Sequence, residues 1–259
     1  MSETFRLPIK GNKKLQAIMY EVRRDEVLHT YWKCSNITAI DRMGFSDHGP
    51  THVKIIANSS LRMLRILIEA GVTPSIVKDY AMTNDDAEVV VVLASILHDL
   101  GMAVLREEHE VFSFLLALEF LKKYLPIVYK EEEAAVLTSE ILHAILAHHR
   151  QQRPLTIEGG VVRVGDALDM EKGRARIPFE AGKINIHSVS AFSIENVSIE
   201  KGSEKPVIIK IKMSNSAGIF QVDELLRKKI QNSGIEDYIR VVAEIIGEKE
   251  PKIITKFEL

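Results

Sequence analysis

His98 and Asp99 place two metal-binding residue types side by side at the end of an apolar segment. Burying an imidazole and a carboxylate together costs free energy unless a strong partner compensates for them. Seven of the nine histidines lie between His48 and His149, and Asp166 follows them along the chain. The sequence therefore predicts a site for one or two divalent metal ions, built by several helices that meet around a polar centre.

Histidine and aspartate side chains, without cysteine, are the donors that this site would offer. Imidazole nitrogens and carboxylate oxygens suit manganese, iron, nickel, cobalt or zinc. Cys34 is the single cysteine, which excludes an internal disulfide and a thiolate-rich zinc site. A bound divalent ion lowers the pKa of its water, and two ions about 3.5–4 Å apart can share a hydroxide and hold a phosphate oxygen. These donors favour hydrolysis over a purely structural role.

The composition indicates an ordinary globular protein of 259 residues, with 46% hydrophobic and 27% charged residues. A formal net charge of −2 gives no general attraction to nucleic acid or to acidic membranes. The N-terminal residues contain no apolar signal core, and no apolar run approaches the roughly 20 residues of a membrane-spanning helix. We therefore expect a cytoplasmic protein with neither a membrane nor a nucleic-acid partner.

The elements that must position these residues are predicted to be helices, because apolar residues recur at a spacing close to 3.6 as far as Met170. Pro50 is expected at a helix start and Gly71 at the end of that helix. Asn84 and the two aspartates after it are expected to cap the next helix, which is apolar on all sides and therefore central. The predicted helices are Lys14–Trp32, Pro50–Gly71, Asn84–Leu97, His109–Tyr124, Glu131–His149 and Glu158–Met170.

After about residue 176 the pattern changes to short, partly alternating β-branched segments, which are typical of strands. One amphipathic helix, Gln221–Asn232, is predicted among them. The fold class is therefore mainly α, with a helical domain over residues 1–178 and a small α+β domain of β-β-α-β type over residues 179–259. A packing or dimerisation module and a regulatory ligand site are both open as roles for the small domain. The predicted strands are Ile184–Phe192, Val197–Glu200, Val207–Met213, Tyr238–Ile246 and Lys252–Phe257.

The order of His52, His98, Asp99 and Asp166 resembles that of the HD superfamily of metal-dependent phosphohydrolases. His52 lies at a predicted helix start, where that family places its first ligand, and Asp166 lies in a segment similar to the family's closing one. The resemblance covers roughly residues 45–175. It implies a helical HD-domain bundle in which these four residues hold a divalent ion, with His98 and Asp99 as catalytic residues.

A narrower similarity concerns members of that family with two-metal sites, including the HD-GYP cyclic dinucleotide phosphodiesterases. His109, His148 and His149 fall where those members carry extra histidine ligands. The resemblance implies a second ion held by His109 and His148, with Asp99 bridging the two ions. His149 or His143 stays open as a replacement for His148. No Gly-Tyr-Pro follows the histidine pair, so specificity for cyclic dinucleotides is not carried over.

A phosphate substrate requires cationic donors near the site, and several basic residues follow the predicted ligands. Met102 stands where many family members carry a lysine or glutamate that grips phosphate or donates a proton, so the general acid is not identified. Asp169 is open to two interpretations, a partner that orients a metal-binding histidine or a surface charge. The candidate substrate-binding residues are Lys54, Arg150, Arg153, Arg174 and, from a loop, His48, with Lys172 and Arg176 in the same basic group.

The sequence thus predicts an enzyme that hydrolyses a phosphomonoester or phosphodiester of a small molecule, such as a nucleotide, through a metal-activated water. Two other functions stay open: a regulatory protein that binds metal or a nucleotide with little catalysis, and a diiron oxygenase of the HD type. A monomer and a homo-oligomer such as a dimer are both compatible with the sequence. His29 and His187 are expected to be core histidines without a metal role.

Overall fold

The helix at the centre of the protein is the apolar segment that leads to His98. In the computed structural model, which describes residues 5–149, 151–173, 186–246 and 256–258, every residue of this helix from Asp86 onward is buried. The other helices of the first part surround it, as the sequence predicts for a mainly helical bundle. They are α1 (Lys13–Val22), α2 (Glu26–Asn36), α3 (Pro50–Glu69), α4 (Ser75–Tyr80), the central α5 (Asn84–Leu97), α6 (His109–Tyr124), α7 (Glu131–Ala147) and α8 (Ile157–Ala167).

Thr83 caps the central helix α5, rather than the predicted Asn84. The backbone N–H and the hydroxyl of Thr83 both donate to Asp86 Oδ2, at 2.9 and 2.7 Å, in a reciprocal capping box. Tyr129 donates to Asp86 Oδ1 at 2.6 Å, and Lys14 forms an ion pair with the same oxygen at 2.7 Å. Asp86 is therefore buried as a fully engaged carboxylate, while Asn84 stays exposed.

The predicted continuous helix Lys14–Trp32 is wrong, because the chain breaks at Asp25 into α1 and α2. Asp25 Oδ1 accepts the backbone N–H groups of Val27 and Leu28 at 3.0 and 3.1 Å, which starts a new helix. Its other oxygen accepts the hydroxyl of Tyr124 at 2.6 Å. Apolar periodicity alone does not register such a break: Val27, which fits the 3.6-residue spacing, is exposed at the start of α2.

The bounds of α3 confirm the expectation from Pro50 and Gly71. Pro50 occupies the first position of the helix, where its missing N–H is not needed. Gly71 adopts a φ of 88°, a left-handed conformation that ends the helix at low cost. The last helix of the first part, α8, begins after Thr156, whose hydroxyl accepts the N–H of Gly159 at 3.0 Å.

The C-terminal part forms a four-stranded sheet in the order β1-β2-β3-β4. The β1–β2 and β3–β4 pairs are antiparallel, and the β2–β3 pair is parallel. A π-helical segment (Gln221–Arg227) runs into a short helix and connects β2 with β3. The sequence thus predicts the small α+β unit correctly. Its elements are α9 (Ile186–Phe192), β1 (Ile194–Lys201), β2 (Val207–Met213), α10 (Lys228–Ile230), β3 (Ile239–Ile245) and β4 (Lys256–Glu258).

The first predicted strand of this unit, Ile184–Phe192, is wrong, since residues 186–192 form helix α9. Ser190 is buried there and accepts a hydrogen bond from the side-chain amide of Gln221 at 2.8 Å. The helix packs against β1 and against the turn that follows β2. Tertiary contacts therefore override the β-branched composition of this segment.

One continuous cluster of buried apolar residues extends from the helices into the sheet. Strand β1 also lies against α3, where Arg62 Nε donates to the carbonyl oxygen of Ile199 at 2.5 Å. The predicted domain boundary between residues 178 and 179 lies outside the described residues and stays a prediction. Among the helices that the structure describes, each is too short or too polar to cross a membrane.

Candidate metal centre

Five helix ends bring the predicted ligands together beside the C-terminus of α5. Each ligand lies at, or directly beyond, the end of a different helix, apart from the adjacent pair that follows α5. These residues are separated by up to 114 positions in the chain, from 52 to 166, and only the fold makes them neighbours. They are His52 in α3, His98 and Asp99 after α5, His109 in α6, His148 after α7 and Asp166 in α8.

Gly101 allows the turn after Asp99 to lie directly against the start of α6. A Cβ atom at this position would lie 2.0 Å from the carbonyl oxygen of His109 and 2.6 Å from the backbone nitrogen of Ser113. The N–H of Gly101 donates to Ser113 Oγ at 2.8 Å. Gly165 permits a similar approach of α8 to α3, because a Cβ there would lie 2.0 Å from Ser60 Oγ. These two glycines bring the ligand-bearing elements within reach of one another.

Asp99 lies between two groups of histidines, with one carboxylate oxygen facing each group. Its Oδ2 lies 3.2 Å from His52 Nε2 and 3.3 Å from His98 Nε2. Its Oδ1 lies 3.2 Å from His109 Nε2 and 3.9 Å from His148 Nε2. This is the arrangement that a carboxylate needs to bridge two ions, and the bridging role itself stays a prediction.

Two further sets of potential ligands flank Asp99, here called the inner group and the outer group. Asp166 Oδ1 lies 3.6 Å from His52 Nε2 and 3.8 Å from His98 Nε2. Within each group the ligand atoms lie within 4.8 Å of one another, which fits a shared ion because ligands about 2.0–2.2 Å from a metal lie roughly 3–4 Å apart. The inner group is His52, His98 and Asp166, and the outer group is His109, Glu110 and His148.

Hydrogen bonds at Nδ1 turn the four imidazole rings so that each Nε2 faces the centre. In three of the rings Nδ1 lies next to the backbone carbonyl oxygen three residues earlier, for example 2.8 Å from Ser95 O in His98. In His52, Nδ1 lies 2.5 Å from Asp169 Oδ2. Because a carbonyl oxygen only accepts, Nδ1 carries a proton in these three rings, and in the neutral form of each ring the lone pair is on Nε2. Such outer partners orient metal-binding histidines in many proteins. Asp169 is therefore a partner of His52.

The residues present fit a divalent cation, as the Nε2 of His98 shows most clearly. This atom is buried and has no hydrogen-bond partner among the described residues, although carboxylate oxygens of Asp99 and Asp166 lie 3.3 and 3.8 Å away. A buried polar atom without a partner costs free energy, and a metal ion would satisfy it. The donor set of imidazoles and carboxylates agrees with this interpretation.

The electrostatics of the centre keep Asp99, Asp166 and His148 in the protonation states that metal binding needs. Burial alone would raise the pKa of Asp99, yet the adjacent imidazoles of His98, His109 and His52 hold that pKa well below its usual value. Burial opposes the charge of Asp166 too, but Lys229 and the nearby histidines lower its pKa. Burial also holds the pKa of His148 well below normal. Both aspartates are therefore ionised and His148 is neutral near pH 7.

His109 differs from His148 in its charge state. Burial disfavours its imidazolium form, but the hydrogen bond and the negative charge of Asp99 outweigh burial and raise the pKa of His109 to about 8.

The residue that precedes His109, Glu108, has a φ of 57° and begins α6 in a left-handed conformation that few non-glycine residues adopt. The outer group thus starts from a less regular part of the backbone than the inner group.

Glu110 is a member of the outer group that the sequence analysis missed. Its carboxylate is buried, and Oε1 lies 3.5 Å from His109 Nε2 and 3.7 Å from His149 Nε2. The side chain of His149 is 38% exposed and lies outside the ligand sets found among the described residues. The fold thus favours His148 over His149 in the outer group. The position of Glu110 directly after His109 was the signal in the sequence that could have identified it as a possible ligand.

The candidate substrate-binding residues are dispersed. The ring of His48 lies 5.3 Å from that of His52, and Lys54 is half-buried in α3. Arg153 instead lies 3.8 Å from Glu236 and lines a separate cleft of about 790 Å³. Arg163 Nη1 donates to the carbonyl oxygen of the preceding residue, Gln152, and the substrate-binding role of Arg153 stays a prediction. Arg150, Arg174 and Arg176 lie outside the described residues, and Lys172 pairs with Glu195.

The other described histidines and Met102 lie outside the ligand sets found among the described residues. His143 Nε2 accepts the N–H of Leu155 at 3.0 Å, and His143 lies outside the ligand sets found among the described residues. His29 is half-buried and stacks on Trp32 with the ring centroids 5.1 Å apart. The side chain of His187 lies outside the part of the chain that the structure describes, so its core position stays a prediction. Met102 is fully buried, so this position offers no polar group to a substrate.

Lys229 is a second residue of the centre that the sequence analysis missed. It lies in α10 of the C-terminal part, and its Nζ is 3.0 Å from Asp166 Oδ2. Its chain segment was predicted only as an amphipathic helix, and nothing in the local sequence connects it with the histidines. Only the packing of α10 against α8 brings this cation to the site.

Comparisons with known proteins agree with this geometry. Residues 57–171 match the HD domain family. The chain is 46% identical over 229 residues to an uncharacterized protein of Methanocaldococcus jannaschii, a match that covers 88% of both chains. It is 29% identical over 147 residues to ribonuclease Y of Thermoanaerobacter pseudethanolicus and of Alkaliphilus metalliredigens. Those matches cover 53% of this chain but only 26% and 28% of the two enzymes. No solved structure matches the chain significantly.

The ordered pattern of ligands, the helical bundle and the family match identify the class of protein. The chain belongs to the HD superfamily, whose members are largely metal-dependent hydrolases. The matched region includes α5, Asp99 and Asp166, and it begins shortly after His52.

Proposed function

We propose that this protein is a metal-dependent phosphohydrolase that acts on a phosphomonoester or phosphodiester of a small molecule, with nucleotides as the first class to test. The observation that carries the proposal is the position of Asp99 between the inner and outer groups, with a carboxylate oxygen within 3.3 Å of at least one imidazole on each side. Family membership supports the same chemistry.

The candidate ligands form two sets, each of which would hold one ion. His52, His98, Asp99 and Asp166 would hold the first ion, and Asp99, His109 and His148 would hold the second, with Glu110 also in reach. When bound, a divalent ion supplies a Lewis acid that activates water near neutral pH and stabilises charge on phosphoryl oxygens. Manganese, iron, nickel, cobalt and zinc are all compatible with these ligands.

The outer group is the side from which a substrate would enter. The side chain of His109 is 17% exposed and that of His149 is 38% exposed, whereas His52 and His98 are fully buried. Arg106 lies beside this side of the centre, since its carbonyl oxygen accepts from His109 Nδ1 at 2.8 Å. His149 and Glu110 are therefore the polar groups placed to contact a phosphate ester or its leaving group.

A phosphodiester substrate has independent support. The relatives named ribonuclease Y share 29% identity with about half of this chain. Their name refers to cleavage of RNA, which is a phosphodiester. An oligoribonucleotide therefore belongs among the substrates to test, although the net charge of −2 favours small molecules over nucleic acid.

A regulatory protein that binds metal or a nucleotide with little catalysis is the second candidate. The observation in its favour is Met102, which is fully buried where many family members carry a lysine or glutamate. A buried thioether neither grips phosphate nor transfers a proton. Under this hypothesis the centre would bind a cation and a phosphate ligand without efficient turnover.

A substrate screen with defined metals separates these functions. Protein purified without chelator is analysed for its metal-to-chain ratio, stripped of metal, and reloaded with Mn²⁺, Co²⁺, Ni²⁺ or Fe²⁺. Phosphomonoesters, cyclic nucleotides, dinucleotides and a short oligoribonucleotide are then tested for hydrolysis, with the stripped protein as the control. We expect metal-dependent release of phosphate or a cleaved diester. Metal and ligand binding without turnover of any class would contradict the hydrolase, and oxygen consumption with iron would indicate a diiron oxygenase.

A further inference from the structure

Lys229 connects the C-terminal part of the chain with the metal centre. Its Nζ lies 3.0 Å from Asp166 Oδ2 and donates to the backbone carbonyl oxygen of His148 at 2.6 Å. One ammonium group therefore contacts the side chain of one candidate ligand and the backbone of another. The side chain is 18% exposed, so these contacts are largely shielded from water.

The contact with Lys229 distinguishes the two carboxylate oxygens of Asp166. Oδ2 is engaged by the ammonium group, whereas Oδ1 faces the Nε2 atoms of His52 and His98 at 3.6 and 3.8 Å. A carboxylate without this partner could rotate and exchange its oxygens. In the observed geometry only Oδ1 is presented to the position that an ion of the inner group would take.

Arg163 fixes the backbone of Lys229 relative to the centre. Its Nε donates to the carbonyl oxygen of Lys229 at 3.1 Å, and its Nη1 donates to that of His149 at 2.6 Å. The guanidinium group is fully buried in α8, three residues before Asp166. Gly160 also lets the C-terminal segment approach, since a Cβ there would lie 2.5 Å from the carbonyl oxygen of Ser233. The position of Lys229 is therefore set by packing.

We propose that Lys229 is a positioning residue of the metal centre, so that the C-terminal α+β unit completes a site whose ligands all belong to the helical part. Lys229 fixes the orientation of Asp166 and the end of α7 that carries His148. The proposal rests on the metal centre of the proposed function, but it does not depend on which substrate that centre acts on. It also gives the C-terminal unit a role beyond packing.

The sign of the effect on metal binding distinguishes positioning from simple electrostatics. A lysine cation close to a divalent ion repels it, so if charge alone mattered, removing the ammonium group would tighten metal binding. If orientation of Asp166 dominates, the same substitution weakens binding, and loss of a residue that orients a ligand typically costs about 10–100-fold in affinity. The two effects therefore predict opposite directions.

The test measures Mn²⁺ affinity of the metal-free full-length protein by titration calorimetry. Lys229→Met is expected to raise the dissociation constant of the tighter site about 10–100-fold. Lys229→Arg keeps the cation and is expected to bind Mn²⁺ more tightly than Lys229→Met. Lys228→Met is the matched control, because the neighbouring lysine pairs with Glu224 and is expected to leave Mn²⁺ binding unchanged.

Several outcomes would overturn the proposal. Folding of each variant is checked by circular dichroism and thermal unfolding, and Lys229→Gln, which keeps a hydrogen-bond donor, replaces Lys229→Met if the latter does not fold. Unchanged or tighter Mn²⁺ binding in a folded Lys229 variant contradicts a positioning role. An unaltered visible absorption spectrum of bound Co²⁺ would do the same, because a rotated Asp166 must change the coordination of the ion.

Asp166→Ala separates failure of this inference from failure of the proposed function. If Asp166→Ala loses the tighter Mn²⁺ site while Lys229→Met keeps it at wild-type affinity, the metal centre stands and only the role of Lys229 is rejected. If Asp166→Ala binds Mn²⁺ as the wild type does, the metal centre itself is rejected, and with it both proposals.

Discussion

The inner and outer groups of the centre use similar residue types but differ in how the protein holds them. In the inner group, His52 and His98 are fully buried, and two charged side chains from outside the group, Asp169 and Lys229, orient its members. In the outer group, His109 is partly exposed, and the Nδ1 atoms of both histidines lie next to backbone carbonyl oxygens rather than charged side chains. The inner group is therefore the more preorganised of the two.

This difference would allow one centre to combine a tightly held ion with an accessible one. Preorganised and shielded ligands lose little entropy on binding a metal, whereas ligands open to water exchange more readily. We therefore expect the inner group to hold the tighter ion and the outer group to hold the weaker one, next to the substrate. Three predictions break or sharpen this comparison.

Asp99→Ala is expected to have the largest effect, because Asp99 is the residue that contacts both groups. Both ions should be lost, and metal-dependent hydrolysis should fall by more than the roughly 100-fold that marks the upper end of losing an orienting partner. Elemental analysis and phosphate release measure the two effects, with the exposed Asp237→Ala as the control. A variant at Asp99 that retained two ions per chain would refute the bridging position.

His109→Ala is expected to have the next largest effect and to act on one ion only. The outer group would lose a ligand while the inner group stays intact, so the metal-to-chain ratio should fall from about two to about one. His149→Ala is the matched control, because His149 lies outside the ligand sets among the described residues. We expect His149→Ala to keep both ions and to raise the KM for a phosphate ester.

The contrast between these two histidines can also fail in an informative way. If His149→Ala loses an ion and His109→Ala does not, the outer ion is held by a different pair of residues from those that the structure places together. If both variants keep two ions, the outer group is not a metal site.

Asp169→Ala is expected to have the smallest of the three effects. Its carboxylate lies 2.5 Å from His52 Nδ1, and removing such a partner typically costs about 10–100-fold in metal affinity without removing a ligand. Asp169→Asn, whose amide oxygen can still accept from Nδ1, should lie between Asp169→Ala and the wild type. Metal titration of the tighter site measures the change. Equal affinities in all three proteins would mean that packing alone orients His52.

The sequence predicts the helices best where local signals agree with packing. Pro50 and Gly71 bound α3 because a proline in the first turn and a left-handed glycine after the last have the same meaning in any fold. The break at Asp25 and the helix Ile186–Phe192 were missed. Asp25 caps α2 locally but also contacts the distant Tyr124, and the helix Ile186–Phe192 contacts the distant Gln221.

The residues of the site also fall into those that the sequence predicts and those that it does not. The histidines and aspartates stand out in the sequence because their types and order resemble a known pattern, and the structure brings six of them together. Glu110 did not stand out, because one more glutamate in a helix is ordinarily a surface charge. The position of Arg153 beside Glu236 could not be predicted, because spacing from a histidine pair does not fix the direction in which a loop turns.

By itself, the sequence determined the residue types of the centre, the helical bundle that carries them and the presence of a smaller α+β unit. Periodicity, caps and ligand chemistry are local properties, so they can be read without coordinates. Only the tertiary structure decided which histidine faces the centre, that Asp169 orients His52, and that Lys229 reaches Asp166 from the other part of the chain. Those facts depend on distances between segments that are remote in sequence, and packing alone sets such distances.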